Sequence, residues 1–220
     1  MYGIISAVNN KDDRKMFNYK EYIEKQVASA RRCFQNHKAS FEKYGGKDGI
    51  EVLEWRDKKG DIFYRVRYVF DKKGNTLTIT GDLGSAVVCP TWDATLEDFV
   101  RVAPNPDYFL EKVRCTSDRW DYNSNQAEEE VRERLQECLD EMKLIDSRER
   151  DLDYDLMCVM ESFSSFDGWQ NLDSHAREIL KKYDHDWYEW LFSCGKRIHP
   201  RVICWLVGMQ MAWEQITQGN

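Results

Sequence analysis

Cysteine, histidine and aspartate are the residue types in this chain that could form a nucleophilic site. Cys89 follows closely after Asp82, and the chain offers four histidines as a base: His37, His175, His185 and His199. A thiolate nucleophile requires a base and an orienting group within hydrogen-bond reach, which spacing in the sequence does not establish. The apolar run before Cys89 is more typical of the end of a buried strand. A small Cys/His-dependent enzyme is therefore retained only as an alternative.

Metal-ligating residue types cluster at Asp184, His185 and Asp186. Zinc sites usually show paired ligands about two to four residues apart, or two histidines in an HExxH helix, and the sequence has neither pattern. Alternating aspartates, as at Asp151 and Asp153, are typical of a capped and solvated first helical turn. We predict no catalytic residue, no metal site and no cofactor.

A glycine-containing loop follows one of the predicted strands. Gly81, Asp82 and Gly84 lie in the sequence Gly-Asp-Leu-Gly, and glycines permit positive φ or a close approach of backbone segments. The spacing matches neither a dinucleotide-binding fingerprint nor a phosphate-binding loop. We predict a special loop beside the sheet, with a structural turn favoured over a functional role.

Acidic residues are concentrated in the C-terminal half. The net charge is −7, and residues 126–220 hold 20 Asp and Glu against 11 Lys and Arg. An acidic surface suits a basic protein surface better than a phosphate backbone. Tyr and Trp, of which the chain has 11 and 8, often anchor protein contacts. The candidate partner surface comprises seven acidic residues: Glu128, Glu129, Glu130, Glu133, Asp151, Asp153 and Asp155.

The N-terminal half is locally basic, at pairs such as Lys58-Lys59 and at Arg65 and Arg67. On the predicted middle strand, the arginines and most of the aromatic residues alternate and so point to opposite faces. A stacking platform for nucleic acid requires both on one surface. Direct nucleic-acid binding is therefore not favoured.

A repeated tetrapeptide gives the clearest structural signal. Asp-Lys-Lys-Gly occurs at residues 57–60 and 71–74, each time between runs rich in branched and aromatic residues. Asp at the first position and Gly at a positive φ are typical of hairpin turns. The alternation predicts an antiparallel meander with strands at residues 50–56, 62–70 and 76–81, and a short fourth strand at 86–89.

Helical periodicity dominates the rest of the chain. It predicts a helix over residues 18–44 that covers the sheet and ends at Gly45-Gly46, and amphipathic helices over 127–145 and 149–163. It also predicts a last helix, from Pro200 to about 217, as the buried centre of the C-terminal half. The fold class is α+β, with an α+β lobe at 1–92 and an acidic helical lobe at 93–220 that together form one compact unit.

A resemblance supplies the biological context. The strand at residues 64–70, followed by Leu-Thr-Ile-Thr-Gly-Asp-Leu-Gly-Ser-Ala at 77–86, resembles a segment of uncharacterised accessory proteins of bacteriophages and mobile elements of Firmicutes. In those proteins a strand–strand–GDxG block precedes a long acidic helical part. The resemblance implies no catalytic residues. It implies an accessory protein of a mobile element, and such proteins often bind and block host machinery, including CRISPR nucleases.

We therefore expect a non-enzymatic binding protein that inhibits a host defence component, in the manner of an anti-CRISPR protein. Its partner would be a host protein such as a CRISPR effector. The seven cysteines form no CxxC pair and no apolar stretch is long enough for a bilayer, so we expect a cytoplasmic location in a bacterial host. The alternatives are the small enzyme and a structural or regulatory homo-oligomer.

Overall fold

A computed structural model describes residues 18–59, 63–142, 151–165 and 167–219. Its N-terminal helix, antiparallel sheet and mostly helical C-terminal half confirm the α+β class. Among the residues described, no helix has the length and apolar character needed to cross a membrane. The first half contains α1 (Tyr19–Cys33), β1 (His37–Tyr44), β2 (Ile50–Asp57), β3 (Val66–Asp71), β4 (Thr76–Gly81), β5 (Ala86–Val88), α2 (Leu96–Val102), α3 (Pro106–Lys112) and β6 (Val113–Thr116). The second half contains β7 (Trp120–Tyr122), α4 (Ser124–Met142), α5 (Leu152–Ser162), α6 (Ser174–Tyr183), α7 (Tyr188–Leu191), β8 (Lys196–Ile198) and α8 (Pro200–Gln218).

The main sheet is an antiparallel meander in which β1 to β6 lie in chain order. The predicted meander is therefore confirmed, but it has six strands where three or four were expected. Val66, Tyr68 and Phe70 of β3 are fully buried on one face, as the period-two alternation predicted. The strand begins at Val66 and not at residue 62, because Tyr64 adopts a φ of 60° that an extended strand does not accommodate.

The predicted helix over residues 18–44 is wrong in its second half. α1 ends at Cys33, and His37–Tyr44 forms the edge strand β1 in register with β2. Phe34 and Phe41 stand at helical spacing, which favoured one long helix, but Phe41 alternates with exposed neighbours along β1. The Gly45-Gly46 pair, with φ of 77° and 68°, turns the chain from β1 towards β2 and does not end a helix.

The second hairpin turn also differs in detail from its prediction. The positive φ, 48°, belongs to Asn75 and not to Gly74. Gly74 instead donates its backbone N–H to the Asp71 carboxylate at 2.8 Å. The Asp of the tetrapeptide therefore holds the turn as expected, while the residue after the tetrapeptide takes the left-handed conformation.

The last helix packs on the sheet. Trp205, Val207 and Met209 of α8 are buried in one core with the inner face of the sheet and with α1, α2 and α3. The Tyr68 hydroxyl donates to the Trp205 carbonyl at 2.8 Å, which fastens β3 to α8. The prediction that α8 forms the centre of the helical half is therefore wrong, because an apolar sequence predicts burial without predicting the partner.

Glu51 is a buried charge that ties the sheet to α2. It is 3% exposed and accepts the backbone N–H of Leu96 at 3.1 Å. Lys72 and Lys43 lie 2.9 and 3.2 Å from its other carboxylate oxygen, Oε1. Burial raises the pKa of this carboxyl, but the hydrogen bonds from Lys72, Leu96 and Lys43 outweigh burial and leave it below its usual value.

A second core lies between α4, α5, α6 and α7. It includes Val131 and Leu135 of α4, Val159 of α5 and Leu180 of α6. Residues 115–126, between the two cores in the chain, contribute to β6, β7 and the start of α4. The predicted lobe boundary near residue 92 remains a prediction.

Candidate functional site: an acidic groove between α4 and α5

Two capped helices form the walls of the candidate site. The Asn123 side chain accepts the backbone N–H of Gln126 at the start of α4, at 2.8 Å. The Asp151 carboxylate accepts the backbone N–H of Tyr154 at the start of α5, at 3.1 Å. These side chains satisfy backbone donors that the first helical turn leaves unpaired. Each helix buries one stripe in the second core and leaves its opposite face to solvent.

Arg132 stands in the middle of the groove between these helices. Its guanidinium pairs with Asp153 of α5 and lies 3.8 Å from Glu128 of its own helix. It lines a cavity of about 410 Å³ on one side and a cavity of about 360 Å³ on the other. Glu133, Gln136, Glu137, Asp140 and Leu152 complete the lining of the first. Glu128, Asp153, Leu156, Met157, Met160 and Glu161 complete the lining of the second.

We call the two cavities together the acidic groove. Six carboxylates line it against one guanidinium. Glu133 and Glu161 are exposed, and within the described part of the chain neither forms an ion pair. Among the described residues these two carboxylates have no cationic partner, so a cation can approach either of them without breaking an ion pair seen there.

The acidic groove also has an apolar component, which lies on α5. Met157 is 51% exposed and Met160 is partly buried beside it. Tyr154, on the same helix, is 52% exposed. Methionine is flexible and polarisable, and exposed methionines are common on surfaces that bind varied apolar side chains. The combination offers an apolar contact area bordered by carboxylates.

The structure brings three of the seven predicted partner-binding residues into the acidic groove, namely Glu128, Glu133 and Asp153. Glu129 lies on α4 but not in the lining of either cavity. The partner-binding role of these residues remains a prediction, and both Glu133 and Asp153 are exposed.

The other three predicted residues hold the fold together. Glu130 accepts the backbone N–H of Gly195 at 2.7 Å, which ties α4 to the segment before β8. Asp151 is the cap of α5. Asp155 accepts the Tyr183 hydroxyl at 2.7 Å and so joins α5 to α6. These carboxylates are engaged within the chain, so they are poorly suited to a partner.

Sequence reasoning missed the remaining groove residues, above all Glu137, Asp140, Met157, Met160 and Glu161. The signal was present, because Glu133, Glu137 and Asp140 recur at i, i+4 and i+7 along α4. Met157, Met160 and Glu161 lie at i, i+3 and i+4 along α5, which also places them on one helix face. What the sequence does not show is that these two faces lie side by side.

The Gly-Asp-Leu-Gly loop is a turn built against the neighbouring strand. Gly81 has a φ of 144°, and a Cβ there would lie 2.1 Å from the Arg65 carbonyl oxygen. Asp82 accepts the Arg65 backbone N–H at 3.1 Å and returns its own N–H to the Arg65 carbonyl at 3.0 Å. Gly84, with a φ of 86°, lies against Arg201 and Ser117. These contacts explain the glycines by local structure.

A separate cavity of about 300 Å³ lies beside this loop. Asp82, His199 and two cysteines, Cys33 and Cys204, are among its lining residues. His199 caps α8 by accepting the Arg201 backbone N–H at Nδ1, at 3.2 Å, and burial together with Arg201 lowers its pKa. Burial raises the pKa of the Cys204 thiol to about 11, opposite to the shift that activates a nucleophile.

Cys89, the predicted nucleophile of the enzyme alternative, does not line this cavity. Its backbone N–H donates to the Lys112 carbonyl at 2.9 Å, just after β5. Asp82 precedes β5 and lines this cavity, whereas Cys89 follows β5 and does not. The structure therefore does not bring the predicted nucleophile, carboxylate and histidine together in this cavity.

The Asp184-His185-Asp186 segment forms a turn between α6 and α7. Asp184 accepts the Asp186 backbone N–H at 2.9 Å and the Trp190 indole N–H at 2.9 Å. Both Asp184 oxygens thus have structural partners. In the residues that the structure describes, no three His, Cys, Asp or Glu side chains are grouped so as to hold a metal ion.

Comparison of the chain with protein-family models, with curated proteins and with solved structures gave no match. The geometry of the acidic groove therefore carries the functional argument.

Proposed function

We propose that this protein is a non-enzymatic binding protein that captures a basic partner in the acidic groove between α4 and α5. The observation that supports the proposal is the proximity of exposed methionine to carboxylates that have no ion-pair partner among the described residues. Glu133 and Glu161 supply charge on either side of Arg132, and Met157 supplies apolar contact. A partner segment with Lys or Arg beside apolar side chains can pair with the carboxylates and contact the methionine at the same time.

The expected energetics follow from the exposure of the groove. Exposed ion pairs contribute about 0–1 kcal/mol each, because water and salt screen them. Several carboxylates acting on one basic segment raise the association rate and select the partner more than they raise the affinity. Burial of Met157 and its neighbours then supplies the part of the affinity that salt does not weaken.

The sharpest form of the proposal is an inhibitor of a host defence component, in the manner of an anti-CRISPR protein. Its support is the resemblance of residues 64–70 and 77–86 to mobile-element accessory proteins, together with the acidic groove. Nucleic-acid-handling nucleases present channels rich in Lys and Arg. A protein that offers carboxylates to such a channel competes directly with the nucleic acid.

The test is affinity capture from a Firmicute lysate with charge-reversed variants. Glu133→Lys and Glu161→Lys each alter one cavity of the groove. Glu24→Lys makes the same change of charge at an exposed position of α1 and is the matched control. We expect a partner that the wild type and Glu24→Lys retain, that both groove variants lose, and that high salt releases. A partner retained equally by all three variants would contradict the groove as its binding site.

A further inference from the structure

The corner of the sheet where β1 begins and β2 ends holds a second charged site. It is a concave surface of about 600 Å³, and we call it the basic pocket. Lys38 and Arg56 lie in register on adjacent strands. The turn that follows adds Lys58 and Lys59, and the Lys58 backbone N–H donates to the Asn36 carbonyl at 3.0 Å.

Among the described residues, the cations of the basic pocket have no ion-pair partner. Lys38, Arg56, Lys58 and Lys59 are all exposed. The pocket's one carboxylate, that of Asp57, accepts the Lys59 backbone N–H at 2.7 Å. Four like charges in one concavity repel each other, and an anion relieves this repulsion.

Several other cations in or beside the sheet do have carboxylate partners. Lys72, at the second position of the twin tetrapeptide, lies 2.9 Å from the buried Glu51. Arg65 and Arg67 lie 3.4 and 3.3 Å from Glu54. The contrast within one sheet indicates that the charge of the basic pocket is available for an external ligand.

An exposed aromatic ring lies in the same connection between β2 and β3. Phe63 is 71% exposed, more than any other large apolar side chain in the described ranges. It follows Lys58 and Lys59 closely in the chain. Cations that track phosphates, combined with an aromatic ring that stacks on bases, are the two components of single-strand binding surfaces.

We propose that the basic pocket binds a single-stranded nucleic acid, with Lys38, Arg56, Lys58 and Lys59 contacting phosphates and Phe63 stacking on a base. This inference is independent of the acidic groove, which belongs to the other core. It departs from the sequence-based expectation that nucleic acid is not bound. That expectation weighed Lys58-Lys59 together with Arg65 and Arg67. It did not include Lys38 beside Arg56, because residues 37–44 were predicted as helix and form a strand.

The test is fluorescence anisotropy with a labelled oligothymidylate of about 12 nucleotides, a length within the range that single-strand binding surfaces cover. With four phosphate contacts, we expect the logarithm of the association constant to fall linearly with the logarithm of the salt concentration. The expected slope is about −3. Lys59→Glu should weaken binding about tenfold and make the slope shallower. A slope near zero, or no binding at low salt, would overturn the proposal.

The twin tetrapeptide provides the matched control. Lys73 occupies the same position in the second Asp-Lys-Lys-Gly as Lys59 in the first, is exposed, and lies at the opposite end of the sheet. Lys73→Glu should leave the dissociation constant within about twofold of the wild-type value, because the charge of Lys73 lies outside the basic pocket. Equal effects of Lys59→Glu and Lys73→Glu would show a general charge effect and overturn the assignment.

The base contact is tested through Phe63. Phe63→Ala should weaken binding of the oligothymidylate by about fivefold or more, since stacking contributes about 1–3 kcal/mol per base. It should leave binding of an abasic oligonucleotide of the same length unchanged. If Phe63→Ala affects neither oligonucleotide, or both equally, the pocket does not recognise nucleic-acid bases and the proposal fails.

Discussion

Gly208 lies at the closest approach between α8 and the sheet, and its replacement by alanine tests the packing of the main core. In an exposed helix interior, Gly→Ala stabilises by about 1 kcal/mol. Here a Cβ would lie 2.6 Å from the Tyr68 hydroxyl oxygen, well inside van der Waals contact. Tyr68 is fully buried and bonded to the Trp205 carbonyl, so its ring has little room to move. We expect an overpacking cost of about 3 kcal/mol and a net destabilisation of about 2 kcal/mol.

The measurement is urea denaturation of the wild type, Gly208→Ala, Tyr68→Phe and the double variant. Tyr68→Phe alone should cost about 1 kcal/mol for the lost hydrogen bond. In the double variant the clashing oxygen is absent, and the nearest remaining atom, Trp55 Cδ1, lies 3.3 Å from the new methyl group. The double variant should therefore be at least as stable as Tyr68→Phe. Additive effects, or a Gly208→Ala protein as stable as the wild type, would refute this reasoning.

Three further predictions concern single residues. Glu51→Gln should destabilise the protein by about 1–3 kcal/mol near neutral pH, because it removes a buried charge that two lysines neutralise. Since the pKa of Glu51 is lowered in the folded state, the wild type loses this advantage as the pH falls below about 4.5, and urea titrations across pH should show the two proteins converge. Gly81→Ala should lower the melting temperature strongly, because the new methyl group would clash with the Arg65 carbonyl oxygen. An unchanged melting temperature would contradict the loop geometry. An alkylating probe should label the exposed Cys115 well before Cys194, because burial raises the pKa of the Cys194 thiol to about 12. If Cys89 is labelled fastest, the enzyme alternative is favoured again.

The fold was predictable where local patterns and tertiary structure agree. In β3 and β4 fully buried residues alternate with more exposed ones, and both strands lie in the middle of the sheet with one face buried. β1 lies at the edge, and its Ala39 and Phe41 are only half buried, so its alternation is weak. An edge strand depends on pairing with its neighbour more than on its own sequence, which explains why it was predicted as helix.

The candidate site was predictable in location but not in composition. Acidic composition pointed to α4 and α5, and Glu128, Glu133 and Asp153 do line the acidic groove. It did not distinguish free carboxylates from those with structural partners, such as Glu130 with Gly195. That distinction depends on contacts between residues distant in the chain, which the sequence of either helix does not contain.

The most direct test of the central claim is zero-length carbodiimide cross-linking of the captured complex, mapped by mass spectrometry. The reagent joins a carboxylate to an amine only where the two form a contact, so it reports which acidic residues meet partner lysines. We expect cross-links from Glu133 and Glu161 that disappear at high salt. Cross-links confined to carboxylates outside the acidic groove, such as Glu24, would contradict the central claim.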